Sequence, residues 1–246
     1  MMNIWGMTDI GLVRRENQDA YAVRVAEDSG HTVCVVCDGM GGPGGGKLAS
    51  SLAVSAFIDS CCANLRQDMD WEQVKETAAF AVAAANTAVY ERSCAKPELH
   101  GMGTTLVSAI IRDGRAVFNN VGDSRAYLVR GGQITRITKD HSLVERMVDR
   151  GDITAEEARR HPSRNLITRA LGPDVDAQCD GYLCPMASGE YLLLCTDGLV
   201  NTVTDQEMLF EVIHSTEAET CLDRLLAIAR RQGAPDNVTI VLMRKA

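Results

Sequence analysis

Between residues 104 and 138 four short runs follow one another: TTLVSAIIR (104–112), RAVFNNVG (115–122), RAYLVRG (125–131) and QITRIT (133–138). Their links include Asp113-Gly114 and Gly131-Gly132. Apolar, β-branched runs joined by two-residue Asp-Gly or Gly-Gly links read as hairpins, and serial hairpins require antiparallel pairing. Parallel strands need a long crossover between neighbours, which this stretch does not have. Helical patterns come in consecutive pairs instead: 47–65 followed by 71–93, and DQEMLFEVIH followed by EAETCLDRLLAIARRQ. HTVCVVCD (31–38), EYLLLCTD (190–197) and NVTIVLMR (237–244) read as further strands. SLVERMVDRG (142–151) reads as a short helix, and the polar stretch 152–166, with Pro162, as a mobile surface segment. This pattern predicts an α+β chain with helices packed outside antiparallel sheets, not a doubly wound fold. The 246 residues, with no repeat, linker or low-complexity tract, suit one domain spanning 1–246.

Composition narrows the function classes. A formal net charge of -8 argues against a nucleic-acid backbone as partner. No apolar run reaches the roughly 18 residues of a membrane helix, and no signal peptide is visible, so the expectation is a cytoplasmic protein without membrane partners. Nine cysteines is a high count, but most sit inside apolar strand or helix patterns and read as buried small hydrophobes. Cys34 and Cys37 match C-x-x-C, yet a strand places their side chains on opposite faces, which excludes a redox pair.

The stretch VCVVCDGMGGPGGGKLAS (33–50) needs separate treatment. GMGGPG (39–44) satisfies G-x-G-x-x-G, and Gly41, Gly46 and Lys47 have P-loop spacing. A P-loop needs Ser or Thr after its lysine to ligate magnesium, and Leu48 stands there. A dinucleotide fold needs a strand after the first helix, where this chain continues into a second helix. Asp38 would also repel a pyrophosphate. Nucleotide binding is therefore set aside.

A repeated grammar points elsewhere. VCVVCDG and LLLCTDG both end an apolar run in Asp-Gly, at Asp38 and Asp197. FNNVGDS delivers Asp123 at a strand end, GAPDN delivers Asp236 before the last strand, and ENQDA supplies Asp19. One strand-end aspartate is an ordinary turn residue. Several, without matching cations, suit hard divalent ions such as magnesium or manganese.

At these residues the chain resembles the metal-dependent phosphatases of the protein phosphatase 2C family, in their compact bacterial form. GLVRRENQDA (11–20), VVCDGMGG (35–42), GMGTT (101–105), VGDSRAYL (121–128), KDHSLV (139–144), NLITRALG (165–172), CTDGL (195–199) and APDNVTIV (234–241) follow in family order nearly end to end. The resemblance implies a four-layer α-β-β-α sandwich, two antiparallel sheets face to face with paired helices outside. It implies a protein-serine/threonine phosphatase using two Mn2+ or Mg2+ ions, with a weaker third. Asp38 would bridge both ions, Asp197 and Asp236 would complete the first, the Gly39 carbonyl would ligate the second, and Asp19 would hold its waters. Gly39 would be glycine so that backbone can approach a metal. Asp123, shared with Asp197, matches the third site, and Arg14 the phosphate-binding arginine, with Arg15 its neighbouring alternative. Residues 152–166 match the flap beside the site. The resemblance further implies phosphorylated proteins as substrates and a cognate Ser/Thr kinase as counterpart, and a monomer is the expected state.

Two departures stand out. Gln18 occupies a position where the family often has glutamate, and Pro43 one where bacterial members commonly have a histidine proposed as general acid. His141 and His161 are alternative acids, although lone histidines are more often structural. The rival reading is a non-catalytic phosphoprotein-binding module of the same fold.

Overall fold

A computed structural model describes residues 2–42, 44–215 and 217–245. In chain order its strands and helices are β1 (Met2–Asp9), β2 (Asp19–Ala26), β3 (His31–Met40), α1 (Gly45–Asn64), α2 (Trp71–Ala95), β4 (Gly103–Thr104), β5 (Leu106–Arg112), β6 (Arg115–Val121), β7 (Arg125–Arg130), β8 (Gln133–Arg136), α3 (Leu143–Asp149), α4 (Ala155–Arg160), β9 (Asp180–Pro185), β10 (Tyr191–Cys195), α5 (Asp197–Val200), α6 (Asp205–His214), α7 (Ala218–Arg231) and β11 (Val238–Lys245).

The strands form two antiparallel sheets. One runs β1-β11-β10-β7-β8, the other β2-β3-β5-β6-β9, with β4 paired to the end of β3. The hairpin links behave as their residues dictate: Asp113 and Gly114 take φ 47° and 77°, Gly131 and Gly132 take 55° and 75°. Those left-handed values are what a tight hairpin turn requires.

Three apolar layers account for the sandwich. Cys34, Val36, Val107 and Phe118 of one sheet meet Leu128, Leu192, Leu194 and Val241 of the other between the sheets. Val33, Val35 and Cys37 face outward onto α1 and α2 through Phe57, Val74 and Val82. Leu193, Ile240 and Leu242 pack under α6 and α7 through Met208, Val212 and Leu225. Strand β3 is buried on both faces, which explains its unbroken apolar run. Cys34 and Cys37 do lie on opposite faces, and all nine cysteines are free.

The structure adds to and corrects the strand and helix boundaries. β1, β2 and β9 carried no clear signal. β1 runs through Gly6, which weakens its apolar pattern and where a Cβ would stand 2.4 Å from the Tyr21 ring of the opposite sheet. β9 is an edge strand that opens on Asp-Gly and closes on Pro185. The run 104–112 breaks at Thr105, which turns its backbone amide to the Asp38 carbonyl at 2.9 Å. The stretch 152–166 is not irregular throughout. It holds α4, capped where Thr154 Oγ1 accepts from the Glu157 amide and Glu157 accepts from the Thr154 amide. Among the described residues no helix is long and apolar enough to cross a membrane.

Candidate metal centre

Five aspartates gather at one end of the sandwich because five chain segments begin or end there. Asp19 opens β2 and is the register partner of Asp38 on β3. Asp123 follows the end of β6. Asp197 is the first residue of α5, two residues beyond the end of β10, and Asp236 stands two residues before β11. A cleft of about 230 Å³ is lined by Asp38, Asp123, Asp197 and Asp236, together with Arg14 and Gly39. Asp19 does not line this cleft; it sits behind Asp38.

Neighbouring backbone fixes Asp38. Its amide donates to Thr105 Oγ1 at 2.9 Å, and its carbonyl accepts from Thr104 Oγ1 at 2.8 Å. Gly39 has a reason beyond metal approach: a Cβ there would lie 2.0 Å from the Gly46 carbonyl oxygen and 2.6 Å from that of Gln18. The glycine lets the start of α1 and the entry to β2 close on β3.

Asp19 is held from the opposite sheet. Thr196 Oγ1 and Thr239 Oγ1 donate to its Oδ2 at 2.9 and 2.7 Å. Because Thr239 gives its proton to Asp19, it accepts from Thr8 Oγ1 at 2.8 Å, and Thr8 accepts from Asn17 Nδ2 at 2.9 Å. Every donor in this relay points toward the carboxylate. Its other oxygen, Oδ1, is buried without a partner, as is Asp197 Oδ1.

The electrostatics are those of crowded anions. Burial, then Asp19, Asp197, Asp123 and Asp236, raise the pKa of Asp38 well above its ordinary value. Burial and then Asp197 do the same to Asp123. Asp19 is pushed up to about 7 by burial, against the pull of the two threonine hydroxyls. Asp197 is pushed up to about 6 by burial and Asp236. Arg14 is the cation that pairs with the cluster, donating to Asp236 Oδ2 at 2.6 Å. This hydrogen bond raises the pKa of the guanidinium. Among the described residues no three Asp, Glu, His or Cys side chains stand close enough together to hold a metal ion as placed. Orphaned carboxylate oxygens, mutual repulsion and an all-oxygen donor set nevertheless fit hard divalent cations.

The remaining predicted residues separate cleanly. Arg15 is exposed and does not line the cleft. Neither does His141 nor His161. His141 is buried; its Nδ1 accepts from the Gly122 amide at 3.1 Å, so Nε2 carries the proton and faces Asp180 Oδ2 at 3.1 Å. That is a structural role beside Asp123. His161 Nδ1 accepts from the Ser163 amide. Pro43 lies outside the described residues. A larger cleft of about 480 Å³ runs under α3 and α4 and shares Asp123 and Asp197 with the first. Thr105, Thr196, Thr239 and Asn237 were missed by reasoning from single residues, because a threonine in a strand reads only as a β-former.

A family model described as Protein phosphatase 2C matches residues 14–230. The chain belongs to this family. It is 39% identical over 237 residues to the serine/threonine protein phosphatase PstP of Mycobacterium tuberculosis, covering 96% of this chain. The chain spans 43% of the length of that relative. It is 35% identical over 240 residues to the serine/threonine phosphatase stp of Listeria monocytogenes, covering 97% of this chain and 94% of the relative. Among solved structures, the S. agalactiae serine/threonine phosphatase superposes with a TM-score of 0.93 at 29% identity, covering 100% of both chains. The catalytic domain of PstP in complex with 2 manganese ions gives 0.85 at 34% identity, covering 99% of this chain and 98% of that one. The two-sheet sandwich is thus the family's fold, as the resemblance predicted.

Proposed function

We propose that this protein phosphatase 2C family member is a metal-dependent protein-serine/threonine phosphatase, hydrolysing phosphoserine and phosphothreonine with two Mn2+ or Mg2+ ions. The observation that carries the reading is the excess of buried carboxylate in the cleft, where one arginine is set against Asp38, Asp123, Asp197 and Asp236.

Asp38, Asp197, Asp236 and the Gly39 carbonyl would hold the two ions, with Asp19 supporting them from behind Asp38. Asp123 with Asp197 would serve a weaker third position. Divalent ions bound there would supply an acidified water and neutralise phosphoryl charge. The protein's own groups do the rest. The relay from Thr196 and Thr239 keeps Asp19 oriented despite burial. Thr104 and Thr105 fix the Asp38 backbone. Arg14, half exposed at the rim, takes the substrate phosphate; its planar fork matches phosphate oxygens. The flap at 152–166 covers the adjoining cleft, where residues flanking the phosphoamino acid would lie. The same reading gives phosphorylated proteins as substrates, a Ser/Thr kinase as counterpart, and a monomer in the cytoplasm as the working form.

The rival, a binding module of the same fold, is disfavoured because all the candidate ligands are present, whereas a decayed site loses ligands. Hydrolysis of a phosphothreonine peptide and of p-nitrophenyl phosphate, with Mn2+ and after exhaustive chelation, separates the two. Metal-dependent turnover of both substrates is expected. Peptide binding without turnover at any Mn2+ concentration would identify the module instead.

A further inference from the structure

Arg14 sits on a segment that has no regular structure of its own. Residues 10–18 leave β1 and enter β2, and Leu12, Val13, Arg14 and Arg15 are all exposed. A long, flexible side chain on such a loop can serve a reaction only if the loop's backbone is fixed, since misplacement by about 1 Å costs on the order of 100-fold.

We propose that Asn237 is the positioning residue that fixes this loop and so sets Arg14 over the cleft. The proposal rests on the reading of Arg14 as the phosphate-binding group. Asn237 is 4% exposed, and its amide is spent on the loop. Nδ2 donates to the carbonyls of Ile10 at 2.9 Å and Glu16 at 3.1 Å, while Oδ1 accepts from the Gln18 amide at 2.8 Å. These bonds bracket Arg14 from both sides. Backbone from the same segment completes the clamp: the Leu12 amide donates to the Ala234 carbonyl at 2.9 Å. The loop lies so close to this segment that a Cβ on Gly11, which has φ 77°, would stand 2.3 Å from the Asp236 carbonyl oxygen.

Asn237 is itself immobilised. Its amide donates to Asp236 Oδ1 at 2.9 Å, orienting the carboxylate whose Oδ2 receives Arg14. Its carbonyl touches the start of α5, where a Cβ on Gly198 would come within 1.9 Å. Only a side-chain amide can meet both demands of the loop. A carboxylate would accept from Gln18 but oppose two carbonyls, and an aliphatic side chain would strand three backbone groups. Positions 236 and 237 therefore hold the loop together, one by the Arg14 guanidinium and the other by the backbone on either side of it.

The test is a double-mutant cycle between Asn237→Ser and Arg14→Ala on the full chain with Mn2+, with Asn237→Asp as the second variant should the serine protein be insoluble. Three quantities are read: KM and kcat for p-nitrophenyl phosphate, the inhibition constant of inorganic phosphate, and calorimetric Mn2+ affinity. N237S is expected to weaken phosphate inhibition and raise KM about tenfold, the size of one or two lost hydrogen bonds. Mn2+ affinity should stay within about threefold, and in the R14A background N237S should add less than about twofold, because neighbours acting as a unit are not additive. Wild-type phosphate affinity in N237S, full multiplication of the two penalties, or loss of Mn2+ binding in step with phosphate binding would each overturn the proposal. An R14A protein with unchanged phosphate affinity would instead sink the reading of Arg14, and the proposal with it.

Discussion

Two groups of buried charge meet at Asp123 and Asp197 and differ in one respect. Among the described residues, the metal cleft sets the carboxylates of Asp38, Asp123, Asp197 and Asp236 against one lining cation, Arg14 at the rim, with Arg125 acting on Asp123 and Asp197 from the neighbouring cleft. Under the flap, the buried carboxylates of Asp140 and Glu145 are each answered by an arginine. Arg125 Nη2 donates to Asp140 Oδ2 at 2.6 Å and its Nε to Oδ1 at 2.9 Å, while Arg136 pairs with Glu145 at 2.7 Å. Burial is similar in both places. A balanced cluster holds its part of the fold together, whereas an unbalanced one loses stability until something cationic arrives, and that imbalance marks the functional site.

The largest effect should come from unbalancing the flap. Asp140→Asn leaves Arg125 facing a neutral amide in a largely buried position, and breaking such a pair costs about 3–5 kcal/mol. Urea unfolding should show that loss. A change within about 0.5 kcal/mol would mean that the Arg125–Asp140 pair is solvated and that the contrast between the clusters is false.

In the cleft, removing charge should harm chemistry rather than folding. Asp38→Asn and Asp236→Asn are each expected to lower kcat at least about 100-fold, the scale of a key electrostatic contact, with the fold intact by circular dichroism. Normal turnover in either protein would remove that residue from the metal centre.

The rim gives a smaller effect. Arg14→Ala should raise KM for a phosphopeptide about tenfold and lower kcat, whereas Arg15→Ala should change neither strongly. If the effects are reversed, the phosphate-binding arginine is Arg15.

The other end of β3 supplies a control away from both clusters. His31 is fully buried with neither ring nitrogen bonded, edge-on to Trp71, whose ring lies beneath the Arg112 guanidinium. Burial, then the positive charge of Arg112, lowers its pKa to about 4. The folded value lies below the unfolded one, so the neutral ring's contribution is present above about pH 6.5 and is lost as pH falls toward 4. The limiting slope is about 1.4 kcal/mol per pH unit. His31→Phe should flatten this part of the acid limb. An unaltered acid limb would show that the ring is hydrated in solution.

Much of this was legible in the chain because local chemistry carried it. Asp113-Gly114 and Gly131-Gly132 announce their hairpins, and Asp38 and Asp197 end apolar runs with glycine following. β1 was not legible because Gly6 is there for Tyr21, a contact made across the sandwich. Asn237, Thr196 and Thr239 were legible only as members of APDNVTIV and CTDGL. Nothing local says that an asparagine holds a loop more than two hundred residues away, or that a strand threonine on one sheet serves a carboxylate on the other. Gly39 was anticipated for metal approach, yet crowding by Gly46 and Gln18 already requires it.

The most direct test of the imbalance is thermal melting of wild type and Asp38→Asn at neutral pH, each stripped of metal and then given Mn2+. The account predicts that the stripped Asp38→Asn protein melts above the stripped wild type, because one repelling carboxylate is gone. It also predicts that Mn2+ raises the melting temperature of wild type by several degrees but that of the variant far less. A stripped variant that melts below wild type, with Mn2+ shifting neither protein, would contradict it.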